Sequence, residues 1–230
     1  IVQRQREWTQ TDSAMLHRVM RYWKHTADWG LVMYGSPEDL DTLVAYLEVD
    51  SDHGNDKFSA KSTASVWLVI QGPSTHIPIA FGAKGNLATG RNTAEVEVIA
   101  IDRGTFHYAL PLVSTLEYIL KRPVSLEACS DNSAAVIACN KGYSRKLAYL
   151  AKHQRISLSA LREVYVGAQG HEEDGEPSIN DLSHLEGLKN RSDLGTKPLD
   201  HKRHWELMYR CQMASLRDIR SLQVSRSRKE

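Results

Sequence analysis

The stretch ASVWLVIQGPSTHIPIAFGA, residues 64–83, carries two runs rich in β-branched and aromatic side chains, separated by Gly72-Pro73-Ser74-Thr75. Runs of this length around a Gly- and Pro-containing interruption predict two strands joined by a hairpin-like turn. A third run of the same kind, LVAYLEVD at residues 43–50, precedes them. We therefore expect three adjacent antiparallel strands in this part of the chain.

Outside this stretch, the periodicity of apolar residues predicts further helices and strands. A first helix is expected over residues 11–25, with the oxygen-bearing side chains of residues 11–13 at its N-terminus. The later elements are predicted to be one or two helices over 93–121 with a break at Pro111, a strand over 124–130, a helix over 132–142, a helix over 144–166 and a strand over 181–185. A last helical segment is expected to begin at Asp193 and to be interrupted at Pro198. Together these elements predict an α/β domain.

Length and composition favour one main domain. The chain has 230 residues, of which 41% are hydrophobic, so it is long enough for one sizeable core with extensions. Its 29 basic and 28 acidic side chains give a net charge of +1. The overall charge therefore gives no reason to expect a nucleic-acid or membrane partner, and any phosphate-binding surface must be local.

The cysteines and the apolar segments argue against three further classes of protein. Cys129, Cys139 and Cys211 form no CxxC pair and are odd in number, which argues against a disulfide framework and a structural zinc site. No apolar stretch approaches the ~18 residues of a membrane span. The chain begins on Ile1 rather than Met, so we expect it to be a fragment of a longer protein.

Four carboxylates occupy the predicted ends of strands and starts of helices. Asp50 closes the first strand, Glu95 lies in the first turn of the long helix, Asp131 follows the fourth strand and Asp193 starts the last helical segment. In an α/β sheet such positions meet in a crevice where ligands bind. Four converging carboxylates would repel one another unless cations neutralise them, and oxygen ligands favour Mg²⁺. Any one of the four could be a turn or cap residue, so the argument depends on all of them together.

Several ordered motifs resemble one family of mobile-element enzymes. They are VDSDHGND at 49–56, KSTAS at 61–65, TAEVE at 93–97, CSDNSA at 129–134 and NRSDLGTKPL at 190–199. In this order they resemble the ribonuclease H region of copia-type retrotransposon polyproteins. Residues 16–31 are similar to the segment that links reverse transcriptase to ribonuclease H in that family. The resemblance covers about residues 16–199.

The resemblance implies a fold and a domain organisation. It implies a ribonuclease H-like fold, with a mixed five-stranded sheet of three antiparallel strands followed by parallel strands, flanked by helices. Residues 1–39 would be the C-terminal end of the reverse transcriptase or its connection segment. Residues 40–200 would form the ribonuclease H-like domain, with a mobile loop at 167–180. Residues 201–230 would form a tail, partly helical or disordered.

It also implies a function: endonucleolytic hydrolysis of the RNA strand of RNA–DNA hybrids during reverse transcription, with two Mg²⁺ ions that Mn²⁺ can replace. Asp50, Glu95, Asp131 and Asp193 would be the catalytic residues and metal ligands, with Glu97 a less favoured choice for the glutamate. The partners would be the hybrid and the reverse transcriptase domain of the same polyprotein, with no membrane. The protein would be intracellular and cytoplasmic, including virus-like particles.

Two groups of side chains are candidates for nucleic-acid binding. Asn92, Asn132 and Ser133 lie beside the carboxylates in the sequence and could contact the 2′-hydroxyls that distinguish RNA. A basic group could bind backbone phosphates, although a solvated basic helix face explains it equally well; it consists of Arg145, Lys146, Lys152, His153 and Arg155. Two alternatives to the ribonuclease remain open. One is a decayed or repurposed binding or scaffold module of the same fold, and the other is a different nuclease or an integrase of the same superfamily.

Overall fold

The computed structural model describes residues 7–54, 61–86, 89–167, 178–217 and 219. The chain divides into two compact units, one formed by Ile1–Val32 with Cys211–Glu230 and the other by Met33–Arg210. Most of the loop expected over 167–180 and the end of the expected tail lie outside the described residues. Assignment of the N-terminal segment to a reverse transcriptase stays a prediction.

The first unit contains one long helix and a short two-stranded sheet. Helix α1 spans Gln10–Thr26, and strand β1, Trp29–Leu31, pairs antiparallel with β7, Met213–Ser215. The helix begins one residue before the expected start because Thr9 is its N-cap. The backbone N–H of Thr9 donates to the carboxylate of Asp12 over 2.9 Å, while the Thr9 hydroxyl accepts from the Asp12 N–H. This reciprocal pair satisfies two N–H groups that the helix leaves free.

The second unit is built on a five-stranded mixed sheet. The strands are β2 (Val44–Ser51), β3 (Thr63–Gly72), β4 (Thr75–Gly85), β5 (Leu126–Ser130) and β6 (Asp181–His184), in the order β4-β3-β2-β5-β6. The β2/β3 and β3/β4 pairs are antiparallel, and the β2/β5 and β5/β6 pairs are parallel. Three antiparallel strands followed by parallel ones is the arrangement expected for a ribonuclease H-like fold, so the predicted fold class is confirmed.

Helices flank this sheet. They are α2 (Thr93–Arg103), α3 (Leu110–Leu120), α4 (Ser133–Lys141), α5 (Leu150–His153), α6 (Leu158–Tyr165), α7 (Asp193–Thr196) and α8 (His201–Arg210). Short 3₁₀ turns occupy Pro37–Asp39, Arg145–Leu147 and Gly187–Lys189. None of the helices among the described residues is long and apolar enough to cross a membrane.

The break expected at Pro111 is a widened turn between two helices. A π-helical segment, Gly104–Ala109, joins α2 to α3, and Pro111 falls in the first turn of α3. Gly104 allows this segment to lie close to β2. A Cβ there would stand 2.8 Å from a Val49 methyl and 3.0 Å from a Leu47 methyl. The long helical stretch thus packs tightly against the strand that carries Asp50.

The single helix predicted over 144–166 is wrong. The structure has the 3₁₀ turn Arg145–Leu147, the one-turn helix α5 and the separate helix α6. Arg155 adopts a left-handed backbone with φ of 58°, and the Ser157 hydroxyl caps α6 by accepting the Ala160 N–H over 3.2 Å. The apolar spacing was misleading because several short segments bury the same side chains that one helix would bury. These side chains are Leu147, Leu150, Ile156, Leu158 and Leu161.

Candidate metal centre

Three of the four predicted carboxylates converge at one edge of the sheet. Asp50 is near the end of β2 and Asp131 directly follows β5. Because β2 and β5 are parallel neighbours, with Val49 opposite Ser130, both aspartates lie at the carboxyl edge. Asp193 is the first residue of α7. One oxygen of each aspartate lies within 4.8 Å of one of each of the others.

Glu95 is not in this group. Its N–H donates to the N-cap side chain of Asn92, and its carboxylate accepts the Arg91 N–H over 2.7 Å. The same carboxylate accepts the Tyr149 hydroxyl over 2.6 Å and the Gln154 amide over 3.4 Å. These partners occupy both oxygens of a fully buried side chain. Glu95 therefore holds together the segments around residues 91 and 149–154.

Glu97 instead contacts the strand ends that carry Asp50 and Asp131. One of its oxygens accepts the Ser51 N–H over 3.2 Å, and the other accepts the Ser130 hydroxyl over 3.2 Å. Side chains two residues apart on a helix point about 200° away from each other, so only one of Glu95 and Glu97 can face this edge. The structure therefore moves the fourth candidate carboxylate from Glu95 to Glu97.

A sequence signal for Glu97 was available. It is a carboxylate inside the apolar run Val96-Glu97-Val98-Ile99-Ala100-Ile101, and all of these residues are buried. A charged group on the face of a helix that packs against a sheet needs a functional or electrostatic explanation. The position of Glu95 in the first helical turn outweighed that signal in the sequence analysis.

The proximity of these carboxylates changes how they ionise. Burial raises the pKa of Glu97 to about 8, and the charges of Asp50 and Asp131 add to the rise, against the hydrogen bonds from Ser51 and Ser130. Burial also raises the pKa of Asp50, which the Thr196 hydroxyl and Lys197 oppose. A neutral Glu97 therefore predominates near pH 7 as long as no further cation is present.

The Lys197 ammonium lies among the three aspartates. Its Nζ is 3.1 Å from an oxygen of Asp50, 3.3 Å from one of Asp131 and 2.5 Å from one of Asp193. Burial lowers the pKa of Lys197, but the hydrogen bond to Asp193 and the charges of the other two aspartates outweigh it and raise the pKa above its usual value. Arg203 adds a second cation, 3.3 Å from the other oxygen of Asp193. No role for either cation was predicted from the sequence.

A buried ion pair fixes the loop that carries Asp193. The Arg191 guanidinium donates to one oxygen of Glu48 over 3.0 and 2.8 Å, and the Arg191 N–H donates to the other over 2.7 Å. The Ser192 hydroxyl bonds the backbone oxygen of Glu48 over 2.8 Å. The guanidinium also lies over the Trp67 ring at 5.7 Å. These contacts anchor the residues just before Asp193 to strand β2.

The donor set fits a hard divalent cation. It offers carboxylate oxygens from Asp50, Asp131 and Asp193, with Glu97 beside them, and among the described residues the group includes no sulfur or imidazole ligand. Mg²⁺ prefers oxygen ligands of this kind. The three aspartates already hold one cation, the Lys197 ammonium, which shows that the position accepts positive charge. This group could therefore bind a metal ion.

The small polar candidates for nucleic-acid binding lie at helix starts. Asn92 is the N-cap of α2, and Asn132 caps α4 by accepting the Ala135 N–H over 3.0 Å. Ser133 is the exposed first residue of α4. The Asn132 and Asn92 side-chain oxygens are used by the caps, so a ligand would be contacted through the amide N–H groups. The Asn92 amide donates to the Tyr149 hydroxyl over 3.4 Å.

The basic candidates are all exposed, and two of them line one open cavity. It is an open cavity of about 800 Å³, lined by Thr89, Gly90, Arg91, Tyr149, Lys152 and His153. The Arg91 guanidinium stacks over the Tyr149 ring at 5.1 Å. His153 lies 4.0 Å from the buried carboxylate of Glu95. The remaining three, Arg145, Lys146 and Arg155, lie outside this lining.

Comparison with known proteins found distant structural likenesses. No protein-family model matches the chain, and no curated protein matches it. The chain is similar to ribonuclease H1 from the halophilic archaeon Halobacterium salinarum, with 11% identity over 64% of this chain and 89% of that one and a TM-score of 0.38. It is similar to LC11-RNase H1, isolated from compost, with 14% identity over 65% and 90% and a TM-score of 0.36.

A third likeness is to the NurA nuclease from Sulfolobus solfataricus, with 8% identity over 87% of this chain and 51% of that one and a TM-score of 0.27. Scores this low carry no argument about this chain. The fold class follows from the order and direction of the five strands, and any statement about activity depends on the carboxylate group itself.

Proposed function

We propose that this chain is the ribonuclease H of a copia-type retrotransposon and hydrolyses the RNA strand of RNA–DNA hybrids during reverse transcription. One observation carries the proposal. Asp50, Asp131 and Asp193 converge around a single cation position at the carboxyl edge of two parallel strands, with Glu97 hydrogen-bonded to both strand ends. The motif order around these residues adds the family context.

The proposed metal ligands are Asp50, Glu97, Asp131 and Asp193, for two Mg²⁺ ions that Mn²⁺ can replace. Such ions would generate a nucleophilic water near neutral pH and stabilise charge on the scissile phosphate. Glu95, favoured by sequence, takes a supporting role in this proposal. Its buried carboxylate orients Tyr149 and the Arg91 backbone rather than facing the other ligands.

Neighbouring residues fix the orientation of the proposed metal ligands. The Ser51 N–H and the Ser130 hydroxyl fix the two oxygens of Glu97, and the Thr196 hydroxyl donates to Asp50. Lys197 shares its ammonium among the three aspartates and so limits their mutual repulsion. Ligands held in this way lose little conformational freedom when a metal binds.

The proposed substrate contacts form two groups. The cavity that contains Arg91, Tyr149, Lys152 and His153 offers positive charge and an aromatic face for a nucleic-acid backbone. Polar groups at the helix starts would contact 2′-hydroxyls, and the proposed residues are Asn92, Asn132 and Ser133. The proposed setting is a polyprotein with a reverse transcriptase domain, acting in the cytoplasm or in virus-like particles.

Cleavage of labelled substrates tests the proposal. RNA–DNA hybrid, double-stranded RNA and double-stranded DNA are incubated with the protein in Mg²⁺ or in EDTA. We expect loss of the hybrid RNA only, in Mg²⁺ only, and at least about a hundredfold less in Asp131→Asn. The matched control Asp41→Asn changes an exposed aspartate and should cleave like the wild type.

Other outcomes favour the alternatives. Equal cleavage by Asp131→Asn and the wild type contradicts the mechanism. Binding of the hybrid without cleavage in any metal supports a repurposed binding module of the same fold. Cutting of double-stranded DNA supports a different nuclease or an integrase.

A further inference from the structure

The Lys197 ammonium lies where the three aspartates converge, and no other described cation contacts all three. Its three distances, 3.1 Å to Asp50, 3.3 Å to Asp131 and 2.5 Å to Asp193, are all within hydrogen-bonding range. An ammonium has three N–H donors, so each can point at one carboxylate. The Lys197 ammonium therefore neutralises and hydrogen-bonds the three carboxylates in the position where a metal ion would bind.

We propose that Lys197 is an internal counter-ion that occupies the cation position until a divalent metal displaces it. The inference rests on the proposed function and deepens it, because it states how the metal-free and metal-bound forms of the same site exchange. In the metal-free form the ammonium keeps the carboxylates close together. When a metal binds, the ammonium leaves the same oxygens.

The local structure allows both positions. Asp193 starts the short helix α7, and Lys197 follows its last residue, so the lysine is tethered four residues from one of its own partners. The Lys197 side chain is 38% exposed, whereas those of Asp50 and Asp193 are 1% and 7% exposed. The ammonium thus covers the carboxylates from the solvent side. A long flexible side chain can swing from there into water without moving the backbone.

Displacement follows from the size of the site. The three aspartate oxygens lie within 4.8 Å of one another, and Mg²⁺ binds oxygens at about 2.0–2.1 Å. A metal that bound two or more of them would come within a few ångströms of the ammonium nitrogen. Two cations at that separation repel strongly in a partly buried site, so the more weakly held one leaves.

Arg203 provides a contrast at the same site. Of the three aspartates, Arg203 contacts Asp193 alone in the described part of the chain, at 3.3 Å. It also donates to the backbone oxygens of Gly187 and Leu188 and lies 4.0 Å from the carboxylate of Glu206. Its side chain is 14% exposed, so it has other partners and little room to move. Arg203 should therefore keep its place when a metal binds. Removing its charge is a control for the general effect of a positive charge near the site, without displacement of the side chain.

Lysine labelling measures the displacement directly. The full chain is treated briefly with an acetylating N-hydroxysuccinimide ester across an Mg²⁺ titration, and mass spectrometry quantifies each lysine. Labelling of Lys197 should rise about tenfold as Mg²⁺ binds, within the usual range for coupled equilibria. Labelling of the exposed Lys202 on α8 should stay constant. Calorimetry on the same samples shows whether Mg²⁺ binds.

The outcomes separate this inference from the proposed function. If calorimetry detects Mg²⁺ binding while Lys197 labelling stays flat or falls, the counter-ion inference is overturned and the proposed function stands. If no Mg²⁺ binds, both are overturned.

A set of variants gives a second measurement. Lys197→Met should tighten Mg²⁺ binding about tenfold, because the competing ammonium is gone. Arg203→Met removes the same charge but leaves Lys197 in the cation position, so it should tighten Mg²⁺ binding much less. Lys197→Arg keeps a cation in that position and should again compete with Mg²⁺. Circular dichroism confirms that each variant is folded. Equal effects of Lys197→Met and Arg203→Met would contradict displacement.

Discussion

Two buried acidic residues on β2, Glu48 and Asp50, lie two residues apart on the same face of the sheet and have very different surroundings. Glu48 is fully paired with one guanidinium, that of Arg191. Asp50 has two carboxylate neighbours and shares a single ammonium, that of Lys197, with both of them. The comparison teaches that β2 carries one carboxylate that stabilises the fold. Two residues later it carries a second one, whose charge is only partly neutralised by the protein and can still bind a cation.

The largest expected effect is on stability, at the structural carboxylate. Glu48→Gln leaves the buried Arg191 charge without its partner, and breaking a buried pair costs about 3–5 kcal/mol of unfolding free energy. Urea unfolding measures the loss. Glu206→Gln, which removes surface pairs with Lys202 at 3.9 Å and with Arg203 at 4.0 Å, should cost less than about 1 kcal/mol. A Glu48→Gln protein as stable as the wild type would remove the distinction between the two sites.

The next effect is on activity, at the other carboxylate. Asp50→Asn should reduce hybrid cleavage at least about a hundredfold, because it removes charge that the metal and the transition state need. The same change should leave the metal-free protein as stable as the wild type or more stable by about 1 kcal/mol, since like charges are relieved. Cleavage rates and unfolding in EDTA give both values. A destabilised and active Asp50→Asn protein would reverse the comparison.

A smaller effect should appear in the pH dependence of stability. The pKa of Glu97 is about 8 in the folded chain and 4.5 as its reference value. The folded state then binds more protons between these values, so stability falls as pH rises from about 4.5 to about 8 and changes no further above that. Between about pH 6 and pH 7.5 in EDTA, the fall due to Glu97 should be on the order of 2 kcal/mol, at about 1.4 kcal/mol per pH unit. Glu97→Gln should remove that part of the slope, and an unchanged slope would contradict the burial of an ionisable Glu97.

The smallest effect concerns the basic cavity. Lys152→Gln should weaken hybrid binding a few-fold and reduce the slope of log affinity against log salt by about one, as for the loss of one phosphate contact. Fluorescence anisotropy at several salt concentrations measures both. Lys141→Gln, an exposed lysine at the end of α4, is the matched control. Equal salt slopes for the two variants would mean that the phosphate backbone does not bind in the cavity that contains Lys152.

Local sequence patterns predicted the sheet well. The hairpin around residues 72–75 follows from two runs rich in β-branched residues, and the strand before Asp131 from a short run with turn residues on both sides. The strand near residue 181 was also predicted, although its segment contains no β-branched residue. Asp50, Asp131 and Asp193 could be found because strand ends and helix starts have recognisable positions in a sequence. The prediction of one helix over 144–166 was wrong because the spacing of apolar residues does not show where a helix is interrupted. Here the left-handed backbone of Arg155 ends one helical segment, and Ser157 caps the next.

The rest depended on contacts between distant residues. The choice between Glu95 and Glu97 is set by how α2 is rotated against the sheet, which involves Gly104 and its close approach to β2. The Glu48–Arg191 pair joins residues 143 positions apart. The sequence shows Lys197 within a motif but not that its ammonium reaches three carboxylates. Such features follow from tertiary packing rather than from local pattern.

A side-by-side measurement of hybrid cleavage by the wild type, Glu97→Gln and Glu95→Gln in Mg²⁺ tests the central claim most directly. Both substitutions keep the shape of the side chain, and only one touches the proposed metal group. The account predicts that Glu97→Gln loses at least about a hundredfold in rate, while Glu95→Gln stays within about tenfold of the wild type. Full activity of Glu97→Gln together with loss of activity in Glu95→Gln would contradict it.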